Sequence, residues 1–234
     1  MLTVKIANIP IGIDNRYEYI ERISKDYLTD EPAMFLVSAD DAEIERERSA
    51  TDIECTGGYL ESIVIYRKIA ERLPEFDAVV FHGAVVSKGG RAYAFAARSG
   101  VGKTTHTRLW ISELGADVRY INGDKPVIRI IDGIPYAFGT PWRGKEGYGA
   151  NESAPLACIA LLKRGENNSA RRISPDESIS DFIRQVYLPK TAEGAKLTMR
   201  VADRVVSSVR FVELICNMDA EAAHVAAEAM LDNE

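Results

Sequence analysis

The segment Ala97-Arg98-Ser99-Gly100-Val101-Gly102-Lys103-Thr104 constrains this chain more than any other. The apolar run Ala92 to Ala96 before it has the length of a strand. Thr104 to Leu114 after it sets Leu109, Trp110 and Leu114 on one side of a helix, with Gly115 as its C-terminal stop. A strand that passes into a helix through a glycine-rich turn aims successive N–H groups at phosphate oxygens. Gly100 and Gly102 supply the turn, Lys103 the cation for the outer phosphates, and Thr104 a hydroxyl for magnesium. The positive end of the helix dipole faces the same place. The full pattern begins with glycine, and here that position is Ala97, whose Cβ is tolerated unless the backbone needs a positive φ. The expected ligand is a nucleoside triphosphate with Mg²⁺, held by Ser99, Gly100, Val101, Gly102, Lys103, Thr104 and Thr105.

Composition narrows the setting. With 46% hydrophobic and 27% charged residues the chain is that of a folded globular protein. A formal charge of -6 argues against a broad nucleic-acid footprint, which needs Lys and Arg in excess. The three cysteines, Cys55, Cys158 and Cys216, lack metal-ligand spacing; Cys158 and Cys216 sit in apolar runs as small core residues. Met1 to Lys5 shows no signal-peptide pattern, and the longest strongly apolar stretch, Pro155 to Leu162, is too short for a membrane span. A cytoplasmic protein with no membrane or nucleic-acid partner is expected.

The pattern along the chain is α/β: a small N-terminal lobe over residues 1–75, then a nucleotide-binding domain over 76–234. Strands are expected at Thr3 to Ile6 and Met34 to Val37, a solvated turn or helix at Asp40 to Arg48, and a helix from Tyr59 to Leu73. In the second part, Val79 to His82, Ala84 to Val86, Ala92 to Ala96, Val118 to Ile121, Leu156 to Leu162 and Phe211 to Ile215 read as strands. Val127 to Ile131 and Ile134 to Phe138 flank Asp132-Gly133, the signal of a tight hairpin, so the sheet is mixed. Helices are expected from Pro175 to about Tyr187, from Lys196 to Val206, and at the alanine-rich C-terminus behind an Asp219 cap.

Phe81-His82-Gly83-Ala84-Val85-Val86, then Ser99 to Thr104, then Asn122-Gly123-Asp124-Lys125 resemble the corresponding stretches of HPr kinase/phosphorylase and phosphoenolpyruvate carboxykinase. Gly139-Thr140-Pro141-Trp142-Arg143-Gly144-Lys145 resembles small bacterial relatives of these enzymes. The resemblance spans roughly residues 80–160 and does not reach the first seventy. It implies a mixed-sheet phosphate-loop core of the HPr kinase C-terminal or carboxykinase type, and ATP- and Mg²⁺-dependent transfer to a hydroxyl. By position, His82 matches the histidine near the attacking group and Asp124 the second aspartate of an acidic pair, whose first member is Gly123 here. A peptide or protein serine is the acceptor it favours, beside a small molecule, and it suggests self-association.

The candidate catalytic residues are Asp124, His82, Lys103 and Arg143, and the candidate metal ligands Thr104 and Asp124. Lys103 would neutralise charge spreading over the transferred phosphoryl oxygens. Asp124 follows a strand end, where the carboxylates of open α/β sheets gather, or else is a turn residue of Asn-Gly-Asp. His82 is either a proton relay or a strand histidine satisfied by a carbonyl. His106 is expected as a partly exposed helix residue. Arg143 and Lys145 lie in the glycine-rich loop Gly139 to Ser153, a lid over phosphate or a solvated connection. Beside the kinase stand a catalytically weak nucleotide-binding regulator, a nucleotide hydrolase or phosphorylase, and a peptide-capturing lobe.

Overall fold

A computed structural model describes residues 1–98 and 100–231. Strands β1 (Leu2–Ile6), β2 (Ile9–Asp14) and β3 (Phe35–Ser38) form a small sheet with β2 in the middle, covered by helices α1 (Glu18–Ile23), α2 (Asp41–Ser49) and α3 (Gly57–Arg72). Asp40 and Glu43 close a reciprocal capping box on α2, which settles the charged Asp40 to Arg48 stretch as a helix. The buried Glu61 of α3 accepts the N–H of Arg16 at 2.6 Å and of Tyr17 at 3.2 Å, holding the start of α1. The apolar core of this lobe runs on into Ala78, Val80, Val127 and Phe138 of the larger sheet.

That nine-stranded sheet is mixed. β4 (Ala78–Val80), β8 (Val127–Ile131), β9 (Ile134–Phe138) and the start of β10 (Ser153–Arg164) are antiparallel. β10 then continues as the parallel neighbour of both β6 (Arg91–Ala96) and β12 (Arg210–Cys216). β5 (Ala84–Lys88) lies antiparallel between β6 and β7 (Arg119–Asn122), and β11 (Ser169–Ile173) closes the far edge against β12. The hairpin turn takes the conformation Asp-Gly permits, with φ of 49° at Asp132 and 83° at Gly133.

Helices cover both faces. In β6, Ala92, Ala94 and Ala96 face the core under α5 (Pro175–Ile183) and α6 (Ala192–Ser208). Tyr93 and Phe95 face the core under α4 (Lys103–Glu113) and α7 (Glu221–Met230), as the two-residue period of a strand requires. Trp110 is wholly buried between Tyr93 and Phe95, at ring distances of 5.5 and 5.1 Å. Cys158 and Cys216 are buried in the same layer.

Some elements differ from expectation for local reasons. β2 carries proline and glycine and is buried at five of its six positions, so it lacks the alternation that marks a strand. β11 is a polar edge, held by Arg171 to Glu213 at 2.9 Å. The helix expected to reach Tyr187 stops at Ile183, because the following backbone joins the sheet: the Tyr187 N–H donates to Val80 O at 3.0 Å and the His82 N–H to Gln185 O at 2.6 Å. Asp219 does not cap α7 with its side chain; Ala220 is the N-cap, and Asp219 forms a turn with Asn217. No helix among the described residues is long and apolar enough to cross a membrane.

Truncating Trp110 to Ala removes the largest buried side chain of the α4 layer. The expected loss is about 3–5 kcal/mol in urea unfolding; a loss below about 1 kcal/mol would show that the layer is not packed around this ring.

Candidate functional site

β6, β7, β10 and β12 run in one direction and β5 against them. The carboxyl ends of the four and the start of β5 therefore share one edge, the side on which open α/β sheets carry ligands. Along it lie the loop after β6, Asn122-Gly123-Asp124 at the end of β7, His82-Gly83 before β5, Arg164 at the end of β10, and Asn217 after β12.

The loop has the form of an open cradle. Gly100 and Gly102 take φ of 78° and 124°, and no atom stands within 4 Å of where their Cβ would be. Ala97 is not among the residues of positive φ, so alanine fits there, and its carbonyl accepts the Lys103 ammonium at 2.9 Å. Arg164 holds the loop from the opposite side, donating to the Val101 carbonyl at 3.2 Å and to the Gly100 carbonyl. In a trans peptide the following N–H points the other way, so the Gly102 amide faces away from this guanidinium. Sequence reasoning missed Arg164, because a basic residue ending an apolar strand looks like a solvated strand end. Ser99 lies outside the described residues.

Asn122 sets the second wall. Its side chain is wholly buried, and its Oδ1 accepts the N–H groups of Asp124 at 2.8 Å and Lys125 at 2.7 Å. Its Nδ2 donates to Thr140 O at 3.2 Å, Thr140 Oγ1 at 3.1 Å and Trp142 O at 3.3 Å. One carboxamide thus ties the acidic turn to the start of the glycine-rich loop. The end of that loop is tied as well, through Gly123 N–H to Tyr148 O at 2.9 Å and Ala150 N–H to Ile121 O at 3.1 Å. Gly139 has no space for a Cβ, which would overlap the Ala150 carbonyl. The expected lid is therefore anchored at both ends, and between these ties the stretch Gly144 to Gly147 is exposed.

Asp124, His82, Lys103, Thr104, Thr105 and Arg143 line one cavity of about 450 Å³. His82 Nε2 lies 3.5 Å from Asp124 Oδ1. Burial, then the nearby Lys125 and Lys103, push the His82 pKa down to about 4, so the imidazole is neutral at pH 7. Burial also lowers the Lys103 pKa, with Lys125 adding to it and Asp124 opposing. Gly83 has no room for a side chain, since a Cβ there would meet the Phe81 ring and the Phe95 carbonyl, and its N–H donates to Asp124 O at 3.2 Å. Gly123, in the place of the first acidic residue, sits under the loop: its Cβ would come 3.2 Å from Tyr148 O and 3.5 Å from Arg143 O. A carboxylate at that position would face carbonyl oxygens.

Arg143 is not a free arginine. It pairs with Asp26 of the lobe at 2.9 Å and stands 5.9 Å from the Tyr27 ring centre. Lys145 lines the same cavity on an exposed stretch. Across the loop's glycines a second cavity of about 390 Å³ is lined by Gly102, Thr105, His106, Cys216, Asn217 and Met218. His106, expected to be partly exposed, is 2% exposed, and both ring nitrogens lack a hydrogen-bond partner among the described residues. Phe95, whose ring centre is 4.9 Å away, and the layer under α4 enclose it, and burial pushes its pKa down to about 4.

The fold and this edge define a mixed α/β protein with a glycine-rich turn at a strand-to-helix junction. The sequence matches no protein-family model and no curated protein. Among solved structures, the chain is similar to the HPr(Ser) kinase/phosphatase from Coxiella burnetii, with a TM-score of 0.30 and 8% identity over 40% of this chain and 70% of that one. A likeness so loose fixes neither fold type nor activity.

Two outcomes follow. Asn122→Ala strands the amides and carbonyls it serves and is expected to cost about 3 kcal/mol, with a lower denaturation midpoint; an unchanged midpoint would contradict the bracket. For His106, the unfolded chain binds a proton near 6.5 and the folded chain only near 4. Stability is therefore complete above pH 6.5 and falls as pH drops from 6.5 to 4, by about 3 kcal/mol at most. His106→Leu should make that acid limb shallower in thermal melts, leaving the part that His82 contributes, without lowering the melting temperature at pH 7; an unchanged limb would exclude His106 as a source.

Proposed function

We propose that the chain is a nucleotide-dependent phosphotransferase that moves the terminal phosphoryl group of ATP to a hydroxyl. One observation carries this: the open Gly100–Gly102 cradle with Lys103, and the Asp124–His82 pair, line a single cavity.

The residues fit the substrate's parts. The cradle has room where side chains would stand, and Lys103 can exchange the Ala97 carbonyl for a phosphate oxygen. The nucleotide base belongs in the cavity across the glycines, against Met218, which is 77% exposed. No cluster of three or more His, Cys, Asp or Glu suited to a metal exists among the described residues. The donor set is Thr104 and Asp124, which suits Mg²⁺ because that ion keeps water and phosphate oxygens as most of its ligands. When bound, Mg²⁺ would neutralise phosphate charge.

In the transfer, the acceptor oxygen bonds to the γ-phosphorus, the bridging oxygen leaves with the nucleoside diphosphate, and the hydroxyl proton passes to Asp124. His82 steadies that carboxylate as a neutral imidazole, since with a pKa near 4 it is a poor base at pH 7. Lys103 stabilises charge on the transferred group, and Arg143 joins it by exchanging Asp26 for a phosphoryl oxygen. Arg164 positions the loop by holding its carbonyls.

The test is transfer of labelled γ-phosphate in a host extract, with label separated into protein, small-molecule and free-phosphate fractions. Lys103→Ala and Asp124→Ala should each lower acceptor labelling by about 10²-fold or more. Labelling that survives both substitutions, or that never exceeds background while nucleotide binds, would refute the kinase. Gly123→Asp should bring no gain in transfer and lower the melting temperature, because Tyr148 and Arg143 occupy the space. A large gain would instead mark a decayed acidic pair.

A further inference from the structure

Behind the phosphate cavity lies a larger one, of about 660 Å³, between the lobe and the glycine-rich loop. Its lobe side is built from Tyr19, Arg22 and Lys25 near α1 and from Tyr59, Tyr66 and Arg67 of α3; Lys125 and Trp142 face them from the core. Asp124, Arg143 and Gly144 line both cavities, so the two meet at the proposed proton acceptor.

The lining carries five cations, Arg22, Lys25, Arg67, Lys125 and Arg143, against Asp26 and Asp124, in a chain whose formal charge is -6. Arg143 is engaged with Asp26, Arg67 with Glu47, and Lys125 lies 3.5 Å from Asp124. Arg22 and Lys25 have no carboxylate partner among the described residues, and Arg22 rests over the Tyr19 ring at 5.1 Å. Both are exposed at the rim of the cavity, where two cations without a carboxylate partner raise the local positive potential and attract an anion. The walls are already formed: Trp142 donates to Ser62 O at 3.2 Å and lies 5.3 Å from the Tyr66 ring. The volume falls in the range of small-ligand sites, about 300–1,000 Å³.

We infer that this cavity is the acceptor site, and that it takes a small molecule bearing both a hydroxyl and an anionic group. The anion lies toward Arg22 and Lys25 and the hydroxyl toward Asp124. The inference rests on the phosphotransferase reading for its chemistry, in which the acceptor hydroxyl loses its proton to Asp124 and gains the phosphoryl group. The anion is a carboxylate or a phosphate, a choice left to the probes below.

Trp142 lines the cavity while Trp110 is buried elsewhere, so tryptophan emission reports on binding without nucleotide. The full chain would be titrated to millimolar concentration with L-serine, glycerate, glycerol 3-phosphate, neutral glycerol, and a serine peptide blocked at both ends. Phosphate transfer from ATP to each would be measured beside it. The expected result is an emission change and labelling with an anionic probe, carboxylate or phosphate, and neither with glycerol or the blocked peptide. Arg22→Ala with Lys25→Ala should raise the KM for that probe at least 10-fold, and Arg22→Lys should recover part of it. An anion-dependent emission change without transfer would uphold the site and defeat the kinase. Transfer to the blocked peptide or to glycerol, with no response to any anion, would uphold the kinase and overturn the inference. Silence in both measurements would overturn both.

Discussion

The buried carboxamide of Asn122 is the interaction on which the site depends. Its oxygen fixes the backbone that presents Asp124, and its nitrogen fixes the strand exit from which Trp142 and Arg143 extend. Thr140 completes the bracket, donating its hydroxyl to Lys125 O at 2.8 Å. A buried amide so fully used keeps the acidic turn and the loop in one relative position, because any slip strands several polar groups away from water. The Tyr120–Tyr148 stack, at 4.6 Å and 10°, locks the far end of the same loop beside α4. The proposed catalytic carboxylate therefore stands on a rigid support, while the exposed stretch from Gly144 to Gly147 is left to respond to what binds.

The electrostatics of the edge follow from what is packed into it. Lys103, Lys125 and the half-buried His82 surround Asp124, and burial, reinforced by the two cations, keeps the imidazole neutral through the physiological range. His106 is neutral through burial alone. A site that gathers cations around one carboxylate suits phosphate chemistry, in which negative charge must be held in place.

Much of this was legible in the sequence where a local rule sets the geometry. The strand–loop–helix passage, the Asp132-Gly133 turn and the Ser174 capping box with Glu177 all depend on residues close in sequence. The convergence of His82 and Asp124 was visible only by resemblance, since their approach needs β5 to run against β6 and β7. Asn122 looked like an ordinary turn residue, because the partners that give it meaning are 18 and 20 positions away. Arg164 was invisible for the same reason, standing 63 and 64 positions from the carbonyls it holds. Glu61 and β2 show the limit from the other side: a buried charge and a proline-bearing central strand contradict local preference, and tertiary contacts decide them.

On the proposed reading, one sheet edge forms a nucleoside triphosphate site with its transfer end at Asp124. A crystal structure with a non-hydrolysable ATP analogue and Mg²⁺ tests it most directly. The phosphates are expected in the Gly100–Thr105 cradle with Lys103 on them, the base beside Met218, and the terminal phosphate at the mouth shared by the two cavities. An analogue bound away from the cradle, or with its terminal phosphate turned from Asp124 toward Arg164, would contradict it.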